Sequence, residues 1–87
     1  MHVYGSGLGF RPAYLDFATC AIYLSVDRYG RPTPFHTPEA LPEELVTRGA
    51  ITGRVTGMKS TLIAGFERNG FFYTRTAAAH ASAEWAG

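Results

Sequence analysis

The hydrophobic pattern of the chain changes period several times, and each change marks an element. The clearest pattern lies at Leu62-Ile63-Ala64-Gly65-Phe66-Glu67-Arg68-Asn69-Gly70-Phe71-Phe72-Tyr73-Thr74-Arg75-Thr76. Two apolar runs flank Asn-Gly. That dipeptide suits a two-residue hairpin turn, whose central residues need positive φ. The sequence therefore predicts strands over 61–68 and 71–77, with Arg68 opposite Phe71 and Phe66 opposite Tyr73. Alternation puts Leu62, Phe66, Phe71 and Tyr73 on one face with Arg68 and Arg75 at its margins. That face reads as core, because a small domain cannot spare its best apolar surface. The other reading is an exposed aromatic platform for a partner.

Tyr14 to Val26 is the longest apolar stretch, and its alternation favours a strand over 19–26. Asp27-Arg28-Tyr29-Gly30 then turns the chain, with glycine at the left-handed position. Arg31-Pro32-Thr33-Pro34-Phe35-His36 predicts an edge strand over 32–36, since both prolines can turn their missing donors to solvent. Leu41-Pro42-Glu43-Glu44-Leu45-Val46-Thr47-Arg48-Gly49 predicts a short helix over 42–48 packed on the sheet. Proline suits its start, the glutamates its positive end and Gly49 its stop. Ile51-Thr52-Gly53-Arg54-Val55-Thr56 alternates as a strand over 51–56, with Ile51 and Val55 inward. The alanine-rich tail, 77–85, favours a helix docked by Trp85 or a frayed end. Met1 to Pro12 contains Gly5-Ser6-Gly7-Leu8-Gly9 and reads as a flexible arm over 1–12. The sum is one α+β domain over 1–87, mainly antiparallel β, with about five short strands and one short helix.

Composition narrows the functional classes. Apolar residues make up 46% of the 87 and charged residues 17%, which specifies a globular chain. Aromatic residues make up 14%, more than a core this small readily encloses, and this favours a partner surface or self-association. Net charge is +1, yet 48–75 carries five cations against Glu67 alone. Cys20 is the only cysteine, so no intrachain disulfide forms. Neither a leader pattern nor a membrane-length apolar run is visible, which points to the cytoplasm and away from a membrane.

The sequence offers little reactive chemistry. Gly53-Arg54-Val55-Thr56-Gly57-Met58-Lys59-Ser60 departs from the P-loop pattern: three residues separate the glycines, and Met58 precedes the lysine. His2, His36 and His80 lie far apart with no metal-ligand spacing. Cys20 sits in an apolar run with no adjacent base. Glu43-Glu44 reads as a solvated helix start. No cofactor or metal is implied.

The expectation is a non-catalytic protein-binding module, an accessory or inhibitor protein that occludes a partner's surface. Small proteins of phages and mobile elements offer an analogy of size and composition only. A nucleic-acid-binding β-surface is the alternative, and a small-ligand binder or minimal enzyme formed by a homodimer is another. Candidate contact residues are Arg54, Lys59, Arg68, Phe72, Tyr73 and Arg75. The arginines would meet carboxylate or phosphate and the rings would stack or fill pockets.

Overall fold

The computed structural model describes residues 9–86. The described residues form an α+β fold with six strands in two antiparallel sheets and one α-helix toward the C-terminal end. The strands are β1 (Arg11–Asp16), β2 (Ala21–Leu24), β3 (Val46–Arg48), β4 (Val55–Met58), β5 (Leu62–Arg68) and β6 (Phe71–Tyr73), followed by α1 (Arg75–Ala86). The larger sheet has the order β2-β1-β5-β6, and β3 and β4 form a separate ribbon.

The Asn-Gly hairpin forms in the expected register. Phe66 faces Tyr73, Glu67 faces Phe72 and Arg68 faces Phe71. Asn69 (φ 53°) and Gly70 (φ 86°) take the positive values that this turn needs. Glu67 locks it, accepting the Gly70 N–H at 2.8 Å and the Arg11 guanidinium at 2.9 Å.

The face bearing Phe66 is core, as its apolar centre predicts. Phe66 is 4% exposed and clusters with Phe10 and Ala78, with Tyr73 and Ala81 packed against them. Phe10 meets the Tyr73 ring edge-on at 4.9 Å. His36 fits between Tyr14 and Phe66, and its Nε2 donates to the Gly65 carbonyl at 2.7 Å. Phe71, toward the hairpin tip, is exposed.

Several boundaries differ from expectation, each for a local reason. The strand expected over 19–26 is shorter and belongs to a hairpin that takes in residues upstream. β1 pairs with β2, and Phe17–Cys20 reverses the chain. The Asp16 carboxylate accepts the Ala18 N–H, and the Asp16 carbonyl accepts those of Thr19 and Cys20. An aspartate can make such a turn without glycine or proline. Cys20 adopts φ 63° there and is exposed. Cys20→Gly is therefore expected to raise the unfolding free energy by about 0.5–1 kcal/mol, relief of left-handed strain exceeding the added unfolded-state entropy. Thermal denaturation would measure the gain, and a loss of stability would show that the side chain contributes there.

The arm expected over 1–12 falls outside the described residues up to Leu8. From Phe10 onward the chain belongs to the core and to β1. The edge strand expected over 32–36 reduces to one bridge, Val26 to Pro32. Ser25 takes over the bonding there. The helix expected over 42–48 is one 3-10 turn, Glu43–Leu45, after which Val46–Arg48 is strand. β-Branched Val46 and Thr47 favour extended backbone, and pairing with β4 outweighs a two-turn helix. The strand expected over 51–56 begins only at Val55. Ile51, expected inward, is 98% exposed in the connecting turn closed by Gly49 and Gly53. The strand expected over 71–77 ends at Tyr73, because Thr74 caps α1. Its hydroxyl accepts the Ala77 N–H at 3.1 Å. The helix thus starts before the expected tail, with Ala78 and Ala81 on its core side; the side chain of Trp85 lies outside the described residues.

Candidate partner-binding surfaces

The six residues singled out from sequence occupy different parts of the molecule. Arg54 is exposed in the loop between β3 and β4. Lys59 follows β4, its ammonium 3.4 Å from Asp16. Arg68 is half-buried beside Gly9. Tyr73 belongs to the core, whereas Phe72 points to the opposite face of the sheet, over Gly65. Arg75 begins α1 with its guanidinium 5.9 Å from the centre of the Phe66 ring. The arrangement joins Tyr73 and Arg75 to one core and separates them from Phe72.

Ion pairing further disperses the positive charge. Arg11 pairs with Glu67, Arg31 with Asp27, Arg48 with Glu39 and Glu43, and Lys59 with Asp16. Asp16 is 1% exposed. The Thr61 hydroxyl beside it lowers its pKa most; desolvation opposes this, while the Ala18 N–H and Lys59 add to the lowering. For Glu67, burial disfavours the charge, but the Gly70 N–H and Arg11 outweigh it and its pKa is also lowered. Carboxylates with pKa values below their unfolded ones, near 4, stabilise the fold above that pH. The stability they give is expected to hold at pH 6 and to fall as pH drops below about 4, through the folded values. Urea melts across that range would show it; a midpoint unchanged down to pH 2 would contradict it.

Two surfaces stand out once the register is known. The first is the sheet face opposite the core. Leu15, Ile22, Leu24 and Phe72 are half-buried on it and Ile63 is exposed. Alternation and pairing place all five on this side, across β1, β2, β5 and β6. Its charged pair, Arg11 with Glu67, lies toward the Asn-Gly end. The sequence conceals this face because its residues are scattered over four strands, one of which, β1, forms where no strand is expected and another, β2, is shorter than expected.

The second surface is the loop after β2. Ser25 is 2% exposed and organises it. Its Oγ accepts the Thr37 N–H at 2.7 Å and the Thr33 hydroxyl at 3.0 Å, and lies within donating distance of the Phe35 and Thr37 carbonyls. Asp27 shapes the tip by accepting the N–H groups of Tyr29 and Arg31 and the Arg31 Nε–H, at 2.8, 3.0 and 2.9 Å. The Arg31 N–H contributes most to holding the Asp27 pKa low, ahead of Tyr29 and the Arg31 side chain, against a desolvation penalty. A cleft of about 410 Å³ opens beside the tip, walled by Val26 and Phe35 with Arg28 at its lining. The tip was legible as a turn, but its rigidity depends on Ser25, which looked like an ordinary strand residue.

Among the described residues, no three His, Cys, Asp or Glu side chains gather as a metal site. No described helix is long and apolar enough to cross a membrane. No family model, curated protein or solved structure matches the chain.

Proposed function

We propose that this chain is a non-catalytic protein-binding module, an accessory or inhibitor protein that works by covering a surface of its partner. The observation that carries this reading is the second face of the sheet, where five apolar side chains from four strands remain open to solvent or half so. A contiguous apolar face costs solubility unless something is to cover it. Four strands about 4.8 Å apart, each showing roughly five residues at about 3.4 Å, give a footprint of roughly 300 Å². A standard interface takes about 800 Å² from each partner, so neighbouring loops would join the contact.

The nucleic-acid reading draws less support. Among the described residues, Arg11, Arg31, Arg48 and Lys59 are held by carboxylates, and the candidate arginines and aromatic residues lie apart rather than along one groove.

The test is affinity capture by the tagged chain and by an Ile22→Lys/Ile63→Lys variant, using nuclease-treated lysate of the source cells. The expected result is a defined protein recovered by the parent and lost by the variant, with the variant's circular dichroism retained. Equal recovery by both would remove the sheet face from the reading. Bound material that disappears on nuclease treatment would favour nucleic acid. A parent that elutes as a dimer, and a variant that elutes as a monomer, would make a second copy the occupant.

A further inference from the structure

The loop after β2 carries chemistry that the sheet face lacks. Tyr29 is 72% exposed, and the guanidinium carbons of Arg28 and Arg31 lie 5.8 and 5.1 Å from its ring centre. Phe35, on the wall of the adjacent cleft, is also exposed. Tyrosine and arginine are among the residues most enriched where binding energy concentrates. Here they are pre-organised: Asp27 fixes the tip through three hydrogen bonds, and Ser25 ties it to the 33–37 segment. A contact surface already ordered in the free protein loses less entropy on binding.

Charge and shape together specify what the cleft would take. Two carboxylates line it: Asp27 is engaged by Arg31, and Glu39 shares Arg48 with Glu43. Arg28 has no carboxylate partner among the described residues, so the positive charge at the cleft is available to a ligand. Val26 and Phe35 supply an apolar wall, and about 410 Å³ is within the range of small-ligand pockets. With two guanidinium groups over the Tyr29 ring, its π surface is poorly placed to receive a nucleobase. Its hydroxyl can still hydrogen-bond.

We propose that the cleft beside the Arg28-Tyr29-Arg31 tip binds a short acidic segment of a partner protein, seating an apolar side chain against Val26 and Phe35 and a neighbouring carboxylate on Arg28. This rests on the reading of the chain as a protein-binding module and adds the chemistry of the bound segment. Arg28 supplies a planar fork that matches a carboxylate. Tyr29 positions that fork and offers its hydroxyl to the same segment.

The test is an NMR titration of the whole chain with a capped peptide alternating glutamate and leucine. Its glutamine-for-glutamate counterpart and a thymidine hexanucleotide serve as comparison probes. Resonances of Arg28, Tyr29 and Phe35 are expected to shift with the glutamate peptide, less so as salt rises, with the glutamine peptide about tenfold weaker. Arg28→Ala is expected to lower affinity by about tenfold, and Arg28→Lys to recover only part of it. Both changes are at an exposed position. No shift at millimolar peptide, equal affinity for the two peptides, or tighter binding of the hexanucleotide would each overturn the proposal. The titration uses the isolated chain and reports on the cleft, so its failure is separable from a failed capture through the sheet face.

Discussion

Phe66→Ala is expected to lower the unfolding free energy by about 3–5 kcal/mol, the cost of emptying a well-filled aromatic site. Phe66 belongs to the small buried cluster with Phe10 and Ala78, and its ring also contacts His36. Removing it leaves the inner side of α1 and the His36 ring facing a void. Neither can readily close that void, because His36 is held to the Gly65 carbonyl and the helix start to Thr74. A chain of this size has little stability in reserve, and total values of 5–15 kcal/mol are usual for whole domains. The variant is therefore expected to be largely unfolded near 37 °C. Phe66→Leu keeps most of the volume and is expected to lose much less. Urea denaturation measures both. A loss below about 1 kcal/mol for the alanine variant would mean that the cluster is not the core.

Gly65→Ala is expected to cost about 3 kcal/mol, at the upper end for overpacking, although it adds one methyl group. A Cβ at Gly65 would run into the Tyr73 carbonyl oxygen and the Phe72 ring. The ring could swing aside, but the carbonyl belongs to the backbone of β6. Relief would require the end of β6 to move outward, weakening the pairing of Phe66 with Tyr73 and disturbing the entry to α1. The expected signature is a stability loss together with shifted amide resonances at Phe72, Tyr73 and Thr74. A change within 0.5 kcal/mol, the range of innocuous substitutions, would show that β6 yields easily.

These two positions also show what the sequence disclosed. The 62–73 hairpin was legible to the residue because Asn-Gly fixes both turn and register, and alternation then identifies Phe66 as inward. Gly65 carried no such signal. Its reason for being glycine is a close approach by a strand that ends three residues after the turn, with Thr74 already capping the helix. The strands upstream were harder to read for related reasons. Asp16 turns the chain with its own carboxylate and carbonyl where no glycine or proline announces a turn. Ile51 alternates correctly with Val55, but Gly49 and Gly53 close a loop around it. Glu43 and Glu44 look like a helix start, yet Val46 and Thr47 complete a ribbon with β4 that only tertiary pairing reveals. The candidate contacts fared likewise. Phe72 and Tyr73 are neighbours in the chain and back to back in the sheet, while Leu15, Ile22, Leu24 and Ile63 share Phe72's side through strand order alone.

The Glu67 clamp on the turn bears on chemical ageing. Asparagine followed by glycine degrades when the glycine amide nitrogen attacks the asparagine side chain and closes a succinimide ring. With the Gly70 N–H held by Glu67, that nitrogen is restrained in the folded chain. Conversion of Asn69 to aspartate, read as a one-dalton mass gain, should therefore proceed much faster once the protein is unfolded. Equal rates in folded and unfolded samples would mean that the clamp gives no protection. While the clamp holds, the turn that sets the register of the sheet keeps time only for molecules that have lost it.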